Sequence, residues 1–360
     1  LAPTRSLARA VLGSRTLAAL TAPHGVDRYL ELVNPMWAAR EVRARVVSIE
    51  RETHTPNPVA TVTLQPTSTW EGHRAGQHVQ VGLELDGARR YTRVFTISSA
   101  ASGPGERFTL TIRANDEGTV SSYLVEKARP GQILHLSQAL GEFVLPDPLP
   151  SRLVFLSGGS GITPVMAMTR TLLRDGYDGA ITFLHYAQTP AHQIYRDELA
   201  ALGAADNGVD VHLVHPEAGG EFFSPAALDR IAPDWPDVDT YACGPAGLIE
   251  QVQAAYAGTD RLRVEYFKTP AVATGEAGGT VAFTRAGEQA ANSGATLLEQ
   301  AEAAGLRPEF GCRMGICFSC TARKSEGTIR NVLTGEESSL PDEDVRICVS
   351  APVGDCAVEL

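Results

Sequence analysis

The chain has 360 residues, more than a single hydrophobic core usually supports, so two or three domains are expected. Apolar residues make up 43% and charged residues 20%, which excludes wholesale disorder and fibrous composition. The net charge of −11 argues against a chain that coats nucleic acid, and no apolar run approaches the ~20 residues a membrane-spanning helix needs.

Residues 1–40 read as an N-terminal helical arm, punctuated by Pro3, Pro23 and Pro35. Seven Arg face three acids between Leu1 and Arg45. That excess fits an arm packed on the body, or a basic patch for peripheral association with an anionic membrane. The apolar positions do not fall on one helical face, which favours the packed arm. Arg9 and Arg15 interrupt the apolar stretch from Leu7 to Leu20, so no signal-peptide core remains and a cytoplasmic location is expected.

From Val42 the texture changes. Val42–Glu50, Val59–Gln65, His78–Leu83, Val94–Ser98, Arg107–Arg113 and Ile133–Ser137 read as short strands between turns rich in Gly, Pro, Ser and Asn. A short helix is expected at Tyr123–Lys127. This spacing predicts a small antiparallel barrel over residues 41–148. From 149 to 267 strands and helices alternate. Leu153–Ser157 runs into Gly158-Gly159-Ser160-Gly161 and a helix over Pro164–Arg174, followed by strands Ala180–Ala187, Val209–His215 and Asp239–Cys243. Helices are expected at Tyr195–Leu202, Pro225–Ile231 and Gly247–Tyr256. The alternation predicts an α/β doubly wound parallel sheet. Residues 268–279 form a linker. Residues 280–360 form a third unit, with strands at Val281–Phe283, Ser319–Arg323 and Arg346–Val349 and a helix over Leu297–Ala304.

Six cysteines occur, and three of them crowd into nine residues, poor spacing for a disulfide framework. The run Cys312-x4-Cys317-x2-Cys320, with Cys348 after 27 further residues, is the spacing that holds a [2Fe–2S] cluster on four thiolates. Gly311, Gly315 and Ser319 let the loop bend closely round an inorganic core. A zinc site is the alternative, but zinc normally uses two C-x2-C pairs. Cys356 lies off the pattern.

On these residues, Thr280–Leu360 resembles a plant-type ferredoxin domain, of α+β (β-grasp) fold, and the preceding 230 residues resemble the ferredoxin–NADP+ reductase superfamily. The order resembles reductases of oxygenase and desaturase systems. The resemblance implies an antiparallel β-barrel flavin domain. Arg93-Val94-Phe95-Thr96 is similar to the family's R-x-Y-[S/T] motif with Phe in place of Tyr: Arg93 on the flavin phosphates, Phe95 on the ring face, Thr96 beside N5. Arg113 matches the basic residue after the next strand. Gly118-Thr119-Val120-Ser121 would hold the pyrophosphate at a helix start, and suggests FAD rather than FMN.

The nucleotide half carries Gly159, Ser160, Gly161, Ile162, Thr163 and Pro164, with Cys243-Gly244-Pro245 on the same sheet, 80 residues after Thr163. The resemblance places Thr163 towards the nicotinamide carboxamide and Cys243 beside C4. This is not the G-x-G-x-x-G fingerprint, which disfavours a dehydrogenase of that type. Arg196 is the nearest base for a 2′-phosphate, so NADPH is favoured over NADH. Phe267 would cover the second flavin face, or simply pack in the core.

The expected function is an NAD(P)H-dependent oxidoreductase using FAD and a [2Fe–2S] cluster. Its expected acceptor is a membrane diiron fatty-acid desaturase or hydroxylase. The alternatives are a soluble Rieske-type ring hydroxylase as acceptor, or a non-catalytic electron-carrier or redox-sensing module. Thr96, Thr163 and Cys243 would act at the reacting rings.

Overall fold

A computed structural model describes residues 26–85, 89–115, 119–266, 277–311, 313, 315 and 318–360. Residues up to Glu265 form one compact unit and Tyr266–Leu360 a second. Most of the arm and of the linker expected at 268–279 lie outside the described residues. So do Gly118, Phe267, Cys312 and Cys317. The described part of the arm is one helix, α1 (Val26–Val33), followed by a loop in which the Asp27 carboxylate accepts from the amides of Arg40 and Glu41 at 3.1 and 3.2 Å.

The first unit opens with an antiparallel sheet in the order β4-β3-β6-β1-β2-β5, with β1 Val42–Arg51, β2 Val59–Pro66, β3 His78–Leu85, β4 Arg89–Thr96, β5 Phe108–Arg113 and β6 Ile133–Leu136. The two edge strands meet. Ile97 bridges to Leu110, and the Ser98 amide donates to the Thr109 carbonyl at 2.9 Å, which draws the sheet into a barrel. Alternation explains the filling: Val62 and Leu64 of β2 point inward with Val79, Val81, Leu110 and Ile112, all at most 1% exposed. The strand expected at Val94–Ser98 starts earlier, because β4 pairs with β3 from Arg89 onward. The helix expected at Tyr123–Lys127 also starts earlier: α2 (Thr119–Ser122) leads into a π-turn over Tyr123–Lys127. Val120 and Leu124 anchor it in the barrel core.

The same unit continues as a parallel sheet, β11-β10-β7-β8-β9, with β7 Arg152–Gly158, β8 Ala180–Tyr186, β9 Val209–Val214, β10 Asp239–Gly244 and β11 Leu262–Tyr266. Leu153–Leu156 are all buried, as a strand covered on both faces requires. The connecting helices are α3 (Ile162–Arg174), α4 (Arg196–Ala204), α5 (Pro225–Ile231) and α6 (Ala246–Ala255). The strand order reverses between β7 and β10, and a crevice opens at the carboxyl ends of the strands on either side of such a switch.

The second unit holds a mixed sheet, β13-β12-β17-β14-β15, with β16 on β14: β12 Thr280–Phe283, β13 Glu288–Ala291, β14 Thr321–Asn331, β15 Glu337–Ser338, β16 Glu343–Arg346 and β17 Ser350–Val358. β12 and β17 run parallel and the other pairs antiparallel. Helix α7 (Leu297–Ala303) begins in a capping box, Thr296 and Glu299 satisfying each other's backbone amides. Of the strand expected near Arg346–Val349, Arg346 closes β16, residues 347–349 turn, and β17 follows. Pro352 pairs in register with Ile329, and the ladder passes Gly354 in a register jump between Gly327↔Cys356 and Thr328↔Val353.

Candidate active site

Arg93, Val94 and Phe95 are half-buried along β4, and Thr96, at its end, is buried opposite His78 of β3. Phe95 rests against the barrel core, and Arg93 Nη1 donates to the Thr92 carbonyl at 2.8 Å. Helix α2 packs on β4 and β5, bringing Thr119, Val120 and Ser121 to the strand that carries Arg93 and to the one that ends in Arg113. Thr119 is exposed, whereas Ser121 is buried and Val120 belongs to the core. Helix α2 thus brings hydroxyl-bearing residues to the two strands that carry Arg93 and Arg113. That donor set suits a flavin phosphate arm.

The dinucleotide turn follows β7 directly. Gly159–Gly161 form one 3-10 turn, and Ile162, Thr163 and Pro164 start α3, where proline costs no backbone bond. Ser157 pairs with Cys243 across β7 and β10. A Cβ on Gly161 would lie 2.2 Å from the Cys243 carbonyl oxygen, so the two turns approach more closely than any side chain permits. Gly244 and Pro245 complete the second turn. The 3-10 turn also touches β5 of the barrel, so the flavin edge and the nucleotide crevice adjoin within the first unit. The Thr163 hydroxyl donates to the Ser160 carbonyl at 3.1 Å, which leaves its lone pairs to accept from a ligand amide.

Cys243 is fully buried, and burial, with the Glu265 carboxylate as the lesser cause, pushes its thiol well above the usual range. It therefore stays neutral and packs rather than attacks. Glu265 was not singled out from sequence. Burial pushes its carboxyl up to about 8, and its Oε1 stands 3.9 Å from His78 Nδ1. A lone Glu in an apolar strand carries no motif, so only the fold reveals it.

Arg196 is exposed at the first turn of α4 and folds onto the Pro190 carbonyl. Across the same loop Gln188 Nε2 donates to Glu217 Oε1 at 3.1 Å. Glu217 follows a different strand, so the sequence around Gln188 shows no acid at this tip. Tyr195, just before α4, sits in the left-handed region at φ 55°, a conformation that costs such a side chain about 1–3 kcal/mol.

In the second unit, Cys320 and Cys348 are buried with their Sγ atoms 3.1 Å apart, although 27 residues separate them. Gly315, at φ 75°, would press a Cβ to within 2.8 Å of Val349, so the loop has no room for a side chain there. Arg346 Nη1 donates to the Gly315 carbonyl, and Arg313 makes a forked pair with Glu302. Two buried thiols beside a tightly drawn loop fit a thiolate-held cluster. Cys356 lies elsewhere in the sheet, paired in register with Val281, and burial pushes its thiol up to about 11.

Three family models match in order: an oxidoreductase FAD-binding domain over residues 47–145, an oxidoreductase NAD-binding domain over 155–254, and a 2Fe-2S iron-sulfur cluster binding domain over 284–353. An NADPH oxidoreductase of Mycobacterium tuberculosis is 40% identical over 349 residues, covering 95% of this chain and 90% of that protein. The chain belongs to the ferredoxin–NADP+ reductase superfamily, in the branch fused to a C-terminal [2Fe–2S] ferredoxin. It is an oxidoreductase with FAD, NAD(P) and [2Fe–2S] domains. The glycine betaine monooxygenase reductase subunit of Pseudomonas aeruginosa is 28% identical over 360 residues, covering 90% of this chain and 96% of that one. Among solved structures, phthalate dioxygenase reductase shares the fold at a TM-score of 0.59 and 20% identity, covering 89% of this chain and 98% of that one. No helix among the described residues is long and apolar enough to cross a membrane.

Proposed function

We propose that this reductase takes one hydride, with its electron pair, from NADPH and delivers single electrons to a separate oxygen-activating protein. The observation that carries this reading is the closure of the Gly161 turn on Cys243 against barrel strand β5, in a chain that also holds the iron–sulfur domain. Arg93 and Arg113 would neutralise the flavin phosphates, Thr119–Ser121 would meet the pyrophosphate, and Phe95 would support the ring with Thr96 beside it. Gly159–Pro164 would cradle the coenzyme pyrophosphate. Thr163 and the buried Cys243, with Gly244 and Pro245, would shape a dry slot for the nicotinamide. When bound, FAD supplies the exchange of one electron pair for two single electrons, and a cluster held by Cys312, Cys317, Cys320 and Cys348 supplies one-electron exit.

The relatives favour a Rieske-type hydroxylase as acceptor. Their names include reductase subunits of a glycine betaine monooxygenase and, in Rhizobium meliloti, of a stachydrine N-demethylase. The desaturase expectation draws no support from these names.

Purified full-length protein should carry FAD and two irons per chain and oxidise NADPH with ferricyanide. Arg93→Ala should lower FAD retention. Failure to oxidise either coenzyme would overturn the reading. For the acceptor, product formation with a Rieske oxygenase component supports the proposal, whereas turnover only with a membrane desaturase fraction overturns that choice.

A further inference from the structure

Helix α3 begins at the dinucleotide turn and ends gripping the barrel. About 10 Å along its axis from Thr163, Arg170 Nη1 donates to the Ser98 carbonyl. Thr171 Oγ1 accepts from the Ala101 amide at 2.9 Å, and Arg174 Nη1 donates to the Ala101 carbonyl. Ser98–Ala101 is the segment that leaves β4 immediately after Thr96. One helix therefore spans from the nucleotide turn to the strand end proposed to face the flavin.

Arg170 is itself held. Its Nε and Nη2 make a forked pair with Glu198 of α4 at 2.8 and 2.5 Å, and its guanidinium lies 4.5 Å from the Tyr195 ring centroid. The Tyr195 hydroxyl donates to Thr111 Oγ1 at 2.6 Å, and Thr111 bonds both Ser98 Oγ at 2.9 Å and Thr61 Oγ1 at 2.8 Å. Thr61 donates to Glu52 Oε1 at 2.5 Å, while Glu52 Oε2 accepts from the Tyr195 backbone amide at 3.3 Å. The circuit starts and ends on Tyr195, the left-handed residue. Strained backbone persists where its surroundings over-determine it, as they do here. Simple adhesion between two domains needs no closed ring of bonds at a strained tyrosine.

We propose that Arg170 and Tyr195 are positioning residues for hydride transfer: by fixing the Ser98–Ala101 segment to helix α3 they set the distance between the flavin edge at Thr96 and the nicotinamide slot at Thr163 and Cys243. The inference rests on the function proposed above. Neither residue touches the reacting atoms. Both act through the backbone that carries Thr96, where a displacement of about 1 Å is enough to lower a rate a hundredfold.

The test uses the full-length, flavin-loaded protein with Tyr195→Phe and Arg170→Met. Tyr195→Phe keeps the ring and its stacking and removes one hydroxyl, so it serves if Arg170→Met fails to fold. Arg230→Met, in the exposed pair with Glu221, is the control. Both test variants should lower kcat with ferricyanide by about ten- to a hundredfold at nearly constant KM for NADPH. The isotope effect with 4-deuterated NADPH should rise, and the long-wavelength charge-transfer absorbance between nicotinamide and flavin should weaken. FAD content should stay at the level of the unaltered protein. Hydrogen exchange at the Ala101 amide should accelerate in Arg170→Met. An unchanged kcat and isotope effect, or a joint loss of FAD and rise in KM, would overturn the assignment and leave only a structural clasp. If the unaltered protein oxidises neither coenzyme, the proposed function fails first and the positioning role falls with it.

Discussion

The two units solve the problem of holding a redox group in opposite ways. The ferredoxin unit would commit four thiolates, three of them within nine residues, each bonding the cluster directly. On the site proposed above, the reductase unit would spread its binding over β4, α2, the β7 turn and the β10 turn, segments up to about 150 residues apart, and rely on hydrogen bonds and close backbone approach. Covalent ligation is all-or-none at each ligand, while distributed contacts lose affinity by degrees. Damage to the first unit should therefore abolish one step, and damage to the second should grade several.

The largest effect expected is at Cys348. Cys348→Ser should lose the two-iron absorbance, the paramagnetic signal after reduction and nearly all cytochrome c reduction, while ferricyanide reduction persists. Cys356→Ser should retain all of them, since that thiol is buried and pairs in the sheet. Equal loss from both changes would break the contrast and the ligand assignment.

Next comes Gly161→Ala. Its Cβ would fall 2.2 Å from the Cys243 carbonyl oxygen, so the turn has to move. Overpacking of this kind costs about 1–3 kcal/mol, or roughly 5–10 °C in Tm. NADPH oxidation should fall with it, while the cluster signal is untouched. Cluster loss in this variant would show that the two units do not fail independently.

Coenzyme choice should respond more gently. If Arg196 meets the 2′-phosphate, Arg196→Ala raises KM for NADPH by about ten- to a hundredfold, the equivalent of roughly 1.5–3 kcal/mol, and barely alters KM for NADH. Glu217→Gln should shift the preference the other way, since its carboxylate shares the same loop. Steady-state kinetics with both coenzymes decide this. An unchanged preference removes Arg196 from the site.

The smallest effect is a pH dependence confined to the reductase unit. Burial holds the Glu265 carboxyl at about 8, above its ordinary 4.5, so the folded state binds the extra proton. Its contribution is fully favourable below pH 4.5 and is lost as pH rises to 8. His185 runs the other way. Burial, with His215 nearby, lowers it to about 3, and the unfolded chain takes up a proton below 6.5, so stability is lost as pH falls through that window. Glu265→Gln should flatten the decline in Tm between pH 5 and 8 by roughly 5 °C. An undiminished decline in this variant would show that Glu265 does not carry the titration.

Much of this was legible in one dimension, for a physical reason. Metal-ligand spacing, glycines that admit close backbone approach, and strand–helix alternation are local constraints, and local constraints leave local signatures. They announced the cluster loop, the Gly158–Gly161 turn and the parallel sheet. The tertiary structure decided the rest. It let β17 run through Pro352 and Gly354, and set Glu217 across from Gln188. It also buried Glu265 beside His78 and closed a ring of bonds on Tyr195. None of these has a motif, because each arises where segments distant in sequence meet. Burial and close contact there set what a carboxylate, an imidazole or a strained tyrosine does, and those belong to the fold rather than to any stretch of chain.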